Sequence, residues 1–371
     1  MHPTHTTVKV QIIKATPKRH LHMLIACCRK AVSSFEPKVL SLLWFLALGH
    51  FSATFVQAQD LRFTQWHASD MVLNPAFAGA GAGGRFTANF RSQWPDMPQT
   101  YLSYRICYDQ PISDVNSGFG IYMLQDDLGD QVLKNLNLGF QYMYQAKVSS
   151  SAAFNFGAQI GMVQRKLNWN QLQFYDQINP VYGFNNAQGI PNPTNEPQPA
   201  DLSTTVLDLG LGAAFVTEKA YTGISFLHVN QPPNTFYDYE EDRLPMAISW
   251  QGGLFLKQKH RKRDPFMAEP TVQLISQGGF SQLQLGSYFA KSFVMGGFFL
   301  KNNFSGMSDV SILAGLKKDW ILFTYSYDVT VGGLSGETGG SHEVGLIFRL
   351  DQAGKHSKGK YYSVLPRPSV F

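Results

Sequence analysis

The sequence predicts an all-β fold, a transmembrane outer-membrane antiparallel β-barrel of about fourteen strands, within a range of about twelve to sixteen. Three observations carry this. The stretch 341–350 alternates, with Val344, Leu346, Phe348 and Leu350 on one face and Glu343, Gly345 and Arg349 on the other. Side chains of a strand point alternately to its two faces, so one face is apolar and the other polar or small. The same pattern recurs along the chain. In 320–328, Ile321, Phe323, Tyr325 and Tyr327 oppose Leu322, Thr324, Ser326 and Asp328, an aromatic outer face over a polar lumen. Finally, the N-terminus carries an export signal. A soluble sandwich also alternates, with its apolar face inward; the recurrence and the signal favour lipid.

The signal comes first in the chain. Lys14, Lys18, Arg19, Arg29, Lys30 and Lys38 precede the apolar core 40–48, and Val56-Gln57-Ala58 is a small-residue cleavage site. Residues 1–58 are therefore expected to be removed, leaving Gln59 first, with Met23 as an alternative start. Leu24-Ile25-Ala26-Cys27 has the look of a lipobox, but the apolar run before it is too short. Only 39–58 is apolar for long enough to be a membrane helix. The chain after the signal keeps one cysteine, Cys107, which excludes a disulfide or a cysteine metal site. Charged residues make up 15% of the 371, against about a quarter in average domains, and aromatics 13%. The net charge of +5 lies largely in the first forty residues and implies no nucleic-acid partner.

Residues 59–83 follow. Leu73-Asn74-Pro75-Ala76-Phe77-Ala78-Gly79 cannot continue a strand through Asn-Pro and a glycine-rich run, so this is expected as a structured periplasmic lead-in. The barrel is expected over 84–350. Alternation and turn residues place its strands near 84–94, 98–109, 117–125, 133–147, 152–164, 201–217, 220–230, 242–257, 266–276, 279–290, 293–302, 307–317, 320–328 and 341–350. The odd-numbered connections include the three longest, 165–200, 231–241 and 329–340, while even ones such as 149–151 and 218–219 are short. Long loops outside and short turns in the periplasm are the known asymmetry of such barrels. A basic tail, 351–371, closes the chain.

Signs of chemistry are weak. Gly79-x-Gly81-x-x-Gly84 fits a dinucleotide pattern but lacks the flanking strand and helix, so it is expected to be a flexible approach to the first strand. Ser341-His342-Glu343 cannot act as a triad, because adjacent strand residues face opposite ways; His342 is expected at the rim and Glu343 in the lumen. Asp126-Asp127 and Tyr239-Glu240-Glu241-Asp242 lack the ligand ladder of a calcium loop and are expected as solvated outer turns. Trp94 and Trp320, near strand ends, are expected in the aromatic girdles. No catalytic residue, cofactor site or metal site is expected. The basic turn Lys257-Gln258-Lys259-His260-Arg261-Lys262-Arg263 is the densest charge run after the signal. It reads either as a solvated turn against anionic head groups or as a docking surface formed by Lys257, Lys259, Arg261, Lys262 and Arg263.

Several motifs together resemble the PorP/SprF family of the Bacteroidetes type IX secretion and gliding machinery. They are Leu73, Asn74, Pro75, Ala76 and Gly79 of the lead-in, then Arg91-Ser92-Gln93-Trp94-Pro95 and Asp127-Leu128-Gly129. Tyr325-Ser326-Tyr327-Asp328 and Gly339-Gly340-Ser341-His342-Glu343-Val344-Gly345 complete the set, in the family's order. The resemblance implies a non-enzymatic outer-membrane component that binds periplasmic ring proteins and a ring lipoprotein, and helps secrete or anchor a large surface adhesin. The alternative class is a transport barrel for hydrophobic or small solutes, similar to fatty-acid transporters. A filled polar interior would favour the first, and a greasy cavity with a lateral opening the second.

Overall fold

The computed structural model describes residues 60–350 apart from 82, 99, 238–241, 258–265, 305–307, 319, 332–335 and 337. The export signal, the tail and most of the basic turn lie outside the described residues. The wall runs in order around the barrel: β1 Arg85–Gln93, β2 Tyr101–Ile112, β3 Ser117–Leu128, β4 Leu133–Ser149, β5 Ala152–Leu167, β6 Ser203–Thr217 and β7 Ala220–Leu227. β8 is Ala247–Leu254 with a short continuation, Leu256–Lys257; β9 Met267–Gln277, β10 Phe280–Lys291, β11 Val294–Asn302, β12 Ser308–Lys318, β13 Ile321–Val331 and β14 Ser341–Arg349 follow. Each strand pairs antiparallel with its neighbours in sequence, and β14 pairs with β1 from Arg85↔Arg349 to Gln93↔Ser341. The result is a closed fourteen-stranded barrel with no free sheet edge.

The alternation read from the sequence sets the two faces. In β14, Ser341, Glu343, Gly345 and Ile347 are buried inward. In β13, Leu322, Thr324, Ser326 and Asp328 turn inward, while Phe323 and Tyr325 are exposed on the outside. Across the closing seam Phe86 lies beside Phe348 and Phe90 beside Val344, continuing the apolar outer surface. Long connections gather at one end, between β5 and β6 and between β7 and β8 among others, and the other end has two-residue turns such as 150–151 and 218–219.

Three local expectations change. β8 starts at Ala247 rather than 242, since Pro245 has no N–H to give a ladder, and it breaks at Phe255. The Phe255 amide turns to Lys219 O, 2.7 Å away, and its ring is buried against Tyr221. Asp126 and Asp127 are not in a solvated turn: β3 extends through both and both are buried, Asp126 accepting from Ser103 Oγ at 2.6 Å. Trp94, with φ 56°, bends inward off β1 to line the lumen instead of joining an outer girdle. Trp320 is half exposed on the outer surface and stacks on Phe348.

Candidate functional site

The largest departure from expectation is the lead-in. Residues 63–80, within the 59–83 stretch expected as a periplasmic lead-in, fill the barrel's lumen, and Thr64, Gln65, Ala68, Asp70, Met71, Asn74, Ala76, Phe77 and Ala78 are completely buried. The segment is a plug of short turns, Trp66–Ser69, Asp70–Leu73 and Pro75–Phe77, too brief to satisfy its own backbone. Wall side chains supply the missing partners, which explains why so many inward positions are polar.

The chain crosses the lumen from the long-loop end to the short-turn end. At the first, Asp60 meets His228, just past β7, at 2.7 Å, and Gln277 at the end of β9. Midway, Gln141 Nε2 donates to Met71 O, Ser225 Oγ to Leu73 O, and Thr87 Oγ1 to Ala68 O. Asp70 pairs with Arg85, which also reaches Asp109 at 3.1 Å. At the short-turn end the backbone touches the wall directly. A Cβ at Gly157 would sit 2.2 Å from Pro75 C, and one at Gly118 2.4 Å from Ala78 O. Gly79 needs its glycine twice, for a φ of +65° and for the closeness of Gln110 O. Gly79, at the start of the glycine-rich run, is thus packed rather than flexible.

Two charged clusters fasten the N-terminal half of the plug. In the first, Arg91 of β1, Lys301 of β11, Asp328 of β13 and Glu343 of β14 converge on Thr64. Asp328 lies 2.8 Å from both Arg91 Nη1 and Lys301 Nζ, and Glu343 is 3.4 Å from Arg91. Glu343 also accepts the amides of Thr64 at 2.8 Å and Gln65 at 3.2 Å, while Thr64 Oγ1 donates to Asp328. Gln65 adds bonds to Ser326 and to Glu343 O. All four charged side chains are nearly sealed from solvent, so each ion is tolerable only because its partners are present. In the second cluster, His228 (φ 55°) bridges Asp208 and Asp60, each at 2.7 Å. Burial opposes a charge on His228, but the two carboxylates outweigh it and raise its pKa to about 10. Burial likewise opposes ionisation of Asp60, yet His228 and Arg62 hold its carboxyl below the usual range.

Most motif residues meet here. Arg91, Asp328, Glu343, Ser341 and Gly345 lie on three adjacent strands, with Arg91 opposite Glu343 and Asp328 opposite Ser341. A Cβ at Gly345 would strike Gln65 of the plug at 2.6 Å. Asn74 caps the turn Pro75–Phe77 by accepting from the Ala76 amide, and its Nδ2 donates to Ala213 O and Ile224 O. Ala76 O accepts from Asn155, and Leu73 packs against the Phe77 cluster. Trp94 N donates to Gly340 O at 2.8 Å, and Gln93 accepts from Arg91. Tyr325 faces outward and bonds His342 Nδ1 at 2.8 Å, so the histidine is at the outer rim and Ser341 and Glu343 face away from it. Asp127, near the end of β3, and Gly129, in the β3–β4 turn with φ +60°, stand apart from the plug. Of the basic turn, Lys257 ends β8, and Lys259, Arg261, Lys262 and Arg263 lie outside the described residues.

Sequence reasoning missed Thr64, Gln65, Arg85, Asp109, Asp208, His228 and Lys301. For Arg85, Asp109, Asp208 and Lys301 the usable signal was a titratable residue at an inward position of a strand, which needs a luminal partner. Above the plug, at the long-loop end, a cavity of about 450 Å³ is left. Among the described residues no cluster has the composition of a metal site.

A closed antiparallel barrel stoppered by its own N-terminal segment is a plugged outer-membrane β-barrel. The profile of the type IX secretion system membrane protein PorP/SprF family matches residues 55–348, and the chain belongs to that family. No curated protein sequence matches it. Among solved structures it is similar to a deletion mutant of the TodX monoaromatic hydrocarbon channel, at 10% identity over 75% of this chain and 92% of that one, with a TM-score of 0.45. It is similar also to the KdgM porin, at 7% identity over 72% and 99%, TM-score 0.32. A triple mutant of the Rhodopseudomonas blastica porin gives 8% identity over 71% and 98%, TM-score 0.32.

Proposed function

We propose that this chain is a non-enzymatic scaffold of the type IX secretion machinery in the outer membrane. In this reading the leader is cleaved after Ala58. The apolar wall holds the barrel in lipid, while its periplasmic turns, with the basic turn 257–263 foremost, bind periplasmic ring proteins and a ring lipoprotein. Through them it helps secrete or anchor a large surface adhesin. The observation that carries this is the filled polar interior: the plug is fastened by buried ion pairs and by backbone contact at Gly118 and Gly157. A transport barrel calls for a way through the lumen or out between strands.

The test is gentle detergent extraction of the native membrane, capture of the protein, and identification of what is retained. Ring proteins, the lipoprotein or an adhesin should co-purify, and reversing the charges of Lys259, Arg261 and Arg263 to Glu should release the periplasmic partners. A clean monomer carrying only lipid would sink the proposal.

A further inference from the structure

We propose that the cavity at the long-loop end of the lumen is a binding site for a small monocarboxylate with an apolar body, whose carboxyl group pairs with Arg62. The site is built by the plug on one side and by strand ends on the other. The lining includes Phe63, Leu227, Ile275 and Phe280, which give it apolar walls.

Three of its cations have carboxylate partners, and Arg105 and Arg62 do not. Arg91 and Lys301 meet Asp328, and His228 lies between Asp60 and Asp208. Arg105 lies over the Phe63 ring at 4.0 Å and donates through Nη2 to Asn89 and Gln65 O, which leaves its Nε alone without a partner among the described residues. Arg62 differs. Its guanidinium stands 5.9 Å from the centre of the Phe280 ring, and its Nε and Nη2 are buried without a hydrogen-bond partner among the described residues. The neighbouring Asp60 attracts it but is already bonded to His228 and Gln277. Burial lowers the pKa of Arg62 to about 10, against the pull of Asp60, so it stays charged at neutral pH. Guanidinium nitrogens buried without an acceptor are destabilising. An anion in the adjoining cavity supplies what is missing.

The rest of the lining narrows the class. Asp60, Asp126, Asp208 and Asp309 all face the same space, so a doubly charged phosphate meets more repulsion there than a singly charged carboxylate does. A single carboxylate takes two parallel N–H bonds from a guanidinium and leaves the rest of the ligand for the apolar walls. Access is from the long-loop end, because Phe77 and its neighbours close the other half. The site is therefore a receptor pocket rather than a passage, and it is independent of the secretion reading.

The experiment is isothermal titration of the full processed barrel in a non-ionic detergent with benzoate, its uncharged analogue benzyl alcohol, and inorganic phosphate. Benzoate should bind about tenfold or more tightly than benzyl alcohol and phosphate. Arg62→Met should bring benzoate and benzyl alcohol to within about twofold, and Arg62→Lys, which keeps the charge, should retain most of the preference. Folding of each variant is checked by heat-modifiable migration. Should Arg62→Met fail to fold, the wild-type ratio and Arg62→Lys decide. Equal binding of benzoate and benzyl alcohol, tighter binding of phosphate, or a preference that survives Arg62→Met would overturn the proposal.

Discussion

Replacing Arg91 by Met tests whether the buried charges hold the plug. Arg91 is 4% exposed and reaches Asp328, Glu343 and Thr64 with one nitrogen, Nη1. Breaking a buried ion pair by removing one member costs about 3–5 kcal/mol, because the other is left uncompensated. Here Lys301 still meets Asp328, and two plug amides still meet Glu343, so the lower end, about 3 kcal/mol, applies. The amides of Thr64 and Gln65 are the bonds at stake, which makes hydrogen exchange at those two sites the direct assay. A loss of about 3 kcal/mol speeds exchange through local opening by roughly a hundredfold. The Phe77 and Ala78 amides, in the tightly packed half of the plug, should change by less than about threefold, since sites without shared partners are nearly additive. Exchange at Thr64 and Gln65 within about twofold of wild type, or an equal rise across the whole plug, would refute this division.

Other outcomes follow from the same contacts. The His228 bridge is pH-dependent: with its pKa raised from an ordinary 6.5 to about 10, its stabilising effect is complete below pH 6.5 and fades as pH rises through 10. The depressed Asp60 carboxyl acts oppositely, contributing above its ordinary 3.8 and losing its effect as pH falls. Proteolysis near residue 60 should therefore be slowest between about pH 4 and 6.5 and rise towards pH 10, a rise that His228→Ala abolishes. Gly157→Val pushes its side chain into the Pro75 and Ala76 backbone and should destabilise the docked plug by about 1–3 kcal/mol or more, read as a lower unfolding temperature. Asn74→Ala removes a turn cap and two donors to β6 and β7, with an expected loss of about 1–3 kcal/mol in the same measurement.

The barrel was legible because its wall obeys a period of two, and lipid outside with polar groups inside leaves that period little disturbed. Strand ends came within a few residues except where proline or bulky inward residues intervened, as at Pro245 and Phe255. The interior was less legible. Alternation put Asp328 and Glu343 on the luminal face, but Arg91, Asp328 and Glu343 are far apart in sequence, and closure of β14 onto β1 is what brings them to one point. Asn74 and Gly79 signalled a non-strand segment correctly, but propensity alone does not say which side of a wall such a segment occupies. Asp126 and Asp127 misled because two adjacent acids usually mark solvent; here one faces a luminal cavity and Ser103, the other Gln125. His228, beyond the end of β7, gave no local pattern and became visible only through its partners.

Ion conductance of the purified barrel in planar bilayers tests most directly whether the lumen is sealed. A plug held by ion pairs at its N-terminal half and by backbone contact at its other end predicts no steady current through the wild-type protein, and brief openings once Arg91→Met and His228→Ala are combined. A stable, porin-sized conductance through the unaltered protein would contradict the sealed lumen and the scaffold reading that rests on it.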